Sequence, residues 1–379
     1  MKRIILLSSL VLTQTLFATT LTIYNSNIAL IQESQTFSIK QNNSDLILEN
    51  LPDTLLDNSV DVSLPDSATL EWQTYRPKRY KQHEKETINS RLTLHVKSTK
   101  ELKADLDISY LAKNISFTTD YVLNIDKNRA QFSAYVDIQN NSGKDFKNAS
   151  INLIAGTLNR AYNHPQPVMY RAMVADEALP SHKAVAGYHK YSLPMKLDLN
   201  SYEKQRVKFF DTKEIALTSS YIATINNPLY LMGERSSSVK RELHLEALKH
   251  ELPAGLVRIY TTDKKEKLLL GEAGIVNSPK NSPLTLSVGQ DFDTKVTQKI
   301  LSRNDTNTQF DATVLYSIIN NSNEDKIVTL HIPFNKKSGS HINSKLKYTY
   351  TKGNLVTFTL KVKANSQRSF DVNFKSSRR

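Results

Sequence analysis

The chain has 379 residues, with 50 Lys and Arg against 37 Asp and Glu for a net charge of +13, and is 39% hydrophobic and 23% charged. That length gives room for two or three domains with real cores, and that balance excludes a chain disordered as a whole. Cysteine is absent and glycine numbers only 10, which excludes disulfides, thiolate zinc sites, a thiol nucleophile, an acylated lipoprotein cysteine and glycine-repeat architectures.

At the start, Lys2 and Arg3 precede a short, mostly apolar core from Ile4 to Leu12, and Thr13 to Ala18 lead to a cleavage position after Ala18, with Leu16 where a smaller residue is usual. This is the layout of a secretory signal peptide over residues 1–18, cut after Ala18. Its apolar run is shorter than the roughly 20 residues needed to cross a bilayer, and no later segment is apolar for that length. The expectation is export to the periplasm with no transmembrane span in the mature chain. An exported chain without cysteine depends on packing and hydrogen bonds for its stability.

Period-two alternation dominates the remainder of the chain. Leu92, Leu94 and Val96 alternate with Thr93 and His95; Ile115, Phe117, Thr119, Tyr121, Leu123 and Ile125 share one face of a long strand. Phe132 to Ile138, Val328 to Ile332, Val356 to Val362 and Phe370 to Phe374 repeat the pattern. Each run has one apolar side only. The expected class is all-β, with two or more antiparallel, immunoglobulin-like β-sandwich modules. Residues Ser236 to His250 fit helical and strand spacing alike, and their neighbours favour strand.

Asparagine takes the place of glycine at turns, because it tolerates left-handed backbone and bonds its own main chain. Asn140-Asn141-Ser142-Gly143 precedes an apolar run at Ala149 to Ile154, and Asn320-Asn321-Ser322-Asn323 precedes Lys326 to Ile332. Each reads as a β-hairpin, and the recurrence predicts two related modules; chance in an Asn-rich chain is the competing explanation. Residues 162–194 carry Pro165, Pro167, Pro180 and Pro194 without alternation, and read as an irregular excursion. The domains are therefore drawn as a signal peptide 1–18, an N-terminal β-rich region 19–103, a central sandwich 104–293 containing the excursion, and a C-terminal sandwich 294–379.

Three blocks carry a family resemblance. They are Ile108 to Tyr121 with Val136 to Gly143 and Ala149 to Gly156; Leu252-Pro253-Ala254-Gly255 through Tyr260 with Leu270-Gly271-Glu272 and Val288 to Asp293; and Tyr316 to Ile332. In this order they resemble the bacterial family called domain of unknown function 4139, from about Asp105 onward. Leu21 to Tyr24, Leu46 to Pro52 and Ser59-Val60 are similar to the region that precedes this domain in relatives. The chain lacks the coiled coil many relatives carry, and has Phe117 where they often show tryptophan. The resemblance implies an exported, β-rich protein without an established activity; some members are described as mucoidy inhibitors. Within the second block, Pro253 and Gly255 are expected to set a turn, Gly255 supplying freedom for positive φ.

No nucleophile elbow, dinucleotide fingerprint, phosphate loop or zincin motif occurs. His83-Glu84 opens like the last, but Thr87 stands where its second histidine belongs, and the nine histidines are scattered. No catalytic residue, metal site or cofactor is assigned. Asp105 with Asp107, and Asp291 with Asp293, sit two apart, which places each pair on one strand face where it could hold a cation or act as acid and base. The strongest local signal runs from Trp72 to Lys85. Trp72, Tyr75 and Tyr80 alternate with Arg76, Lys78, Arg79 and Lys81. Aromatic faces stack on rings and cations attract phosphate or carboxylate. In the periplasm the matching partners are an anionic glycan, lipopolysaccharide or an envelope protein; nucleic acid is in another compartment. A solvated basic segment is the plainer explanation. The sequence thus points to a non-enzymatic periplasmic protein that binds or scaffolds an envelope component. The alternative is a carboxylate-dependent enzyme acting on envelope polysaccharide.

Overall fold

A computed structural model describes residues 19–81, 86–155, 189–335, 339–351 and 354–377. The proposed signal peptide and the excursion up to residue 188 lie outside the described residues. Of those described, 71% are in strands or bridges and none is in an α-helix, which makes the class all-β. Residues Glu234–Leu245 form a strand, as the neighbours of that ambiguous stretch suggested. No helix among the described residues is long and apolar enough to cross a membrane.

The alternation translates directly into burial. Ile115, Phe117, Tyr121, Leu123 and Ile125 are all buried on one face of the strand Ile115–Asp126, while Ser116, Thr118 and Asp120 lie on the other and are less buried. Val328, Leu330 and Ile332 are fully buried, as are Val356 and Phe358. Strands form because a buried face every second residue removes apolar area from water at about 25 cal/mol per Å².

The chain divides into two compact units, one of Met1–Thr118 with Tyr135–Phe209, the other of Thr119–Ala134 with Phe210–Arg379. They are not collinear with the sequence. The expected divisions at 103/104 and 293/294 fall inside the strands Leu102–Lys113 and Leu284–Asp305, while the chain passes between the units within Ile115–Asp126, Arg129–Asn140 and Glu203–Thr224. Composition marks loops, whereas compact units are marked by which strands pair, and these strands are long enough to serve both.

In the first unit, the strand Thr20–Tyr24 lies antiparallel to Ile28–Ile39 and parallel to Phe146–Ala155. Ile28–Ile39 pairs with Leu102–Lys113, and Phe146–Ala155 pairs with His189–Ser192 and Leu197–Leu199. Between Ile39 and Leu102 the chain builds a separate three-stranded sheet in the order Asn42–Leu48, Arg91–Ser98, Ala68–Arg76. Leu46, Leu48, Leu92, Leu94 and Val96 of the small sheet share one core with Leu21, Ile23, Leu106 and Ile108 of the large one.

The second unit repeats this succession. Tyr221–Thr224 lies parallel to Val328–His331, and the strand that contains it pairs antiparallel with Glu234–Leu245. Glu234–Leu245 pairs with Leu284–Asp305, and Lys326–Pro333 with Leu355–Val362. The insertion again falls between the second and third strands of the succession, here as the hairpin Gly255–Asp263 and Glu266–Ile275. Gly255 opens it by close approach and not by positive φ: a Cβ there would lie 2.2 Å from the Thr119 carbonyl oxygen, its parallel partner.

The two Asn-Asn-Ser segments correct the hairpin reading. Arg129–Asn140 and Phe146–Ala155 belong to different sheets, and Gln309–Asn320 does not pair with Lys326–Pro333. Both segments are arches that carry the chain from one set of pairings to another. An arch has no ladder to satisfy its backbone, so an asparagine side chain does so. Asn140 Nδ2 donates to the Lys144 and Leu199 carbonyls at 2.8 and 3.1 Å, and its Oδ1 accepts from Ser142 N and Oγ. Asn320 Nδ2 donates to the Glu324 and Lys363 carbonyls at 2.8 and 3.0 Å, and its Oδ1 accepts from Ser322 N and Oγ. Each arch leads to a buried lysine in an ion pair: Lys144 Nζ with Glu33 at 2.7 Å, and Lys326 Nζ with Asp291 at 2.8 Å.

Candidate functional site

The exposed side of the three-stranded sheet is assembled by register. Leu92, Leu94 and Val96 face the core, so Arg91, Thr93 and His95 face outward. In the edge strand Ala68–Arg76 the ladder shifts between Leu70 and Trp72, so that Leu70 opposes Val96 but Trp72 opposes His95. Such a bulge re-aims every side chain beyond it. Trp72, Thr74 and Arg76 thereby join the outward face, and Tyr75 turns to the side of Leu92 and packs against the core. Burial, followed by the charges of Asp57 and Asp53, raises the Tyr75 phenol above its usual range.

Three cross-strand rows result. Trp72, His95 and Asp45 form the first; Thr74, Thr93 and Ile47 the second; Arg76 and Arg91 the third, with Glu49 bonded to Arg91 at 2.7 Å. The Trp72 indole lies on the His95 imidazole, centroids 4.6 Å apart and planes 24° off parallel, and Trp72 remains 56% exposed. His95 is held from both ends: Nδ1 lies 2.7 Å from Asp45 Oδ1, and Nε2 lies 3.3 Å from Thr74 Oγ1. Hydroxyl, imidazole and carboxylate follow the order of an acyl-transfer triad. Catalysis of that kind also needs N–H donors converging on an oxyanion, and the amides of the central strand point along its ladders to both neighbours. The chain of bonds fixes the imidazole as a floor beneath the indole.

Beside the third row opens a cleft of about 480 Å³ lined by Glu49, Asp53, Arg76, Lys78, Asn89 and Arg91, among others. Lys78 Nζ is 2.9 Å from Asp53 Oδ2, and this hydrogen bond holds its ammonium pKa above the usual value. Asp53 is seated by the first arch. Its N–H donates to the Ser142 carbonyl at 2.8 Å, and Gly143, at φ 84°, leaves room that a Cβ would fill 2.3 Å from Asp53 Oδ2. Arg91 is paired with Glu49 and Lys78 with Asp53, whereas Arg76 has no ion-pair partner among the described residues.

The structure therefore divides the basic-aromatic patch expected over Trp72, Tyr75, Arg76, Lys78, Arg79, Tyr80 and Lys81. Trp72 and Arg76 share a face, and Arg76 and Lys78 share the cleft. Tyr75 faces the other way, and Arg79 and Tyr80 lie in a two-stranded ribbon of Arg79–Lys81 with Glu86–Ile88, Tyr80 being 62% exposed. The side chain of Lys81 is outside the described set. Sequence reasoning missed Asp45, Glu49, Asp53 and Arg91, and named His95 only as a polar residue alternating with Leu92, Leu94 and Val96. Their one local signal is polarity at alternate positions, which does not say who their neighbours are.

Of the two aspartate pairs, Asp105 accepts a hydrogen bond from Thr36, and the Asp291 carboxylate is occupied by Lys326 Nζ at 2.8 and 3.0 Å. No group of three or more potential metal-ligating His, Asp or Glu side chains occurs among the described residues. A scan against protein-family models matches none, and a search of curated proteins finds no relative. The likeness to domain of unknown function 4139 thus stands on the quoted sequence blocks alone.

Proposed function

We propose that this protein is an exported, non-enzymatic β-sandwich protein of the cell envelope that binds an anionic envelope component at the Arg76 cleft. The reading takes the two repeated units as immunoglobulin-like modules of the domain of unknown function 4139 type, working in the periplasm. The observation that carries it is Arg76, an exposed guanidinium without an ion-pair partner among the described residues, beside Arg91 and opening onto the same cleft as Lys78. A guanidinium presents a planar fork suited to carboxylate or phosphate, and such charge-assisted bonds contribute about 1.5–3 kcal/mol. The net charge of +13 falls to +11 when Lys2 and Arg3 leave with the signal peptide, and that excess adds long-range attraction for polyanions.

The test is binding of the whole chain to lipopolysaccharide and to a soluble acidic polysaccharide, with and without Arg76→Ala. Saturable binding weakened about tenfold by the substitution, and weakened by salt, is expected. Affinity unchanged by the substitution would mean that the cleft is a solvated basic surface. Release of the protein by osmotic shock is expected from the assigned compartment; retention in the cytosol would end the reading.

A further inference from the structure

The outward face of the three-stranded sheet has a chemistry of its own. At one end lies an indole held flat over its neighbouring strand by His95, its outer side open to solvent. At the other end is Arg76, unpaired among the described residues. Between them runs a row of hydroxyls, Thr74 and Thr93, in direct register. Trp72 and Arg76 are four residues apart along one strand, about 13 Å at the usual rise. A flat aromatic, a hydroxyl row and a guanidinium in line match a chain that repeats apolar ring faces, hydroxyls and carboxylates. They match a compact phosphorylated headgroup less well, because such a group leaves the distant indole unused.

We infer that this face is the binding track of a linear acidic polysaccharide, a polymer of uronic-acid type. One sugar ring covers Trp72 through its apolar C–H side, and a carboxylate further along the chain pairs with Arg76. The inference rests on the proposed anion binding at the Arg76 cleft and adds the ligand class and its direction. Asp45 and Thr74 act as positioning residues: they hold His95, and His95 holds the indole before any ligand arrives, which lowers the ordering cost of binding. The Arg76 guanidinium supplies the charge complement, since the other two cations at this end are already paired with Glu49 and Asp53.

The decisive experiment titrates the whole chain with oligogalacturonate, with the same oligomer reduced to its neutral sugar, and with inorganic polyphosphate. Unaltered protein, Trp72→Ala and Arg76→Ala are compared, with thermal melting to confirm that each variant is folded. Oligogalacturonate binding is expected to fall about tenfold in either variant. Polyphosphate binding should fall only in Arg76→Ala, and the neutral oligomer should bind at least tenfold more weakly than the acidic one. If Trp72→Ala binds oligogalacturonate as the unaltered protein does while Arg76→Ala fails, the track is wrong and the anion site survives. If no probe binds saturably, both readings fall.

Discussion

The Tyr316 hydroxyl is buried and has no hydrogen-bond partner among the described residues. An unsatisfied buried hydroxyl costs roughly 1–3 kcal/mol relative to its bonded state, and replacing it with hydrogen removes that cost. Tyr316→Phe is therefore expected to raise stability by about 1 kcal/mol, read as a higher urea midpoint with an unchanged slope. A lower midpoint would show that the hydroxyl is satisfied, for instance by water. Tyr110 presents the contrasting case: its hydroxyl donates to Glu33 at 2.9 Å and lies 2.9 Å from Lys144 Nζ, so the same change there would strip a buried ion pair of a partner. Residue type and burial are the same in the two tyrosines, and only their neighbours differ.

At the scale of elements, the arches explain why asparagine recurs before Ser142 and Ser322. A hairpin turn needs a residue that tolerates its backbone angles, and glycine would serve. These arches need a side chain with both a donor and an acceptor, because the carbonyls they reach belong to segments distant in sequence, Leu199 for Asn140 and Lys363 for Asn320. Asn140→Ala and Asn320→Ala are each expected to destabilise by about 3 kcal/mol, since several buried backbone groups lose their partners together. Asn140→Asp should be at least as damaging, because an added carboxylate faces two carbonyl oxygens. Chemical denaturation of the three variants checks this, and a loss below about 1 kcal/mol in both alanine variants would remove the arches' special role. The bulge in Ala68–Arg76 works at the same scale: without it Glu71, and not Trp72, would oppose His95.

At the scale of the molecule, one strand succession occurs twice, with an insertion at the same point in each copy and an arch at the same point in each copy. A buried tyrosine with a phenol pKa raised by burial also occurs in both units, Tyr110 in the first and Tyr316 in the second, with Glu33 adding to the effect at Tyr110. A phenol whose folded pKa lies above its unfolded value of 10.0 stabilises fully below that pH, and the contribution is lost as pH climbs toward the folded pKa. Stability should accordingly decline above about pH 10, with part of the tyrosinate absorbance appearing only as the chain unfolds. Tyrosinate formation complete before any loss of β-sheet circular dichroism would contradict the burial of these rings.

Alternation of apolar residues was enough to place strands such as Arg91–Ser98, Ile115–Asp126 and Leu355–Val362 and to say which face of each is buried, because a strand's two sides are set by its own sequence with a period of two; it gave no sign of Ala68–Arg76, which buries almost nothing after its first residue. It placed no functional residue: Trp72 and Arg76 stood out only by composition, as two members of one basic-aromatic segment. It could not choose the arches over hairpins, since both begin with the same turn chemistry and differ in which distant strand is the partner. Nor could it assemble the rows on the small sheet. Asp45 and His95 are 50 residues apart, and Glu49 and Arg91 are 42 apart. Burial of a face is a local property of a segment; register, and with it every functional neighbour, is fixed only when separate segments compete for the same hydrogen bonds and the same core.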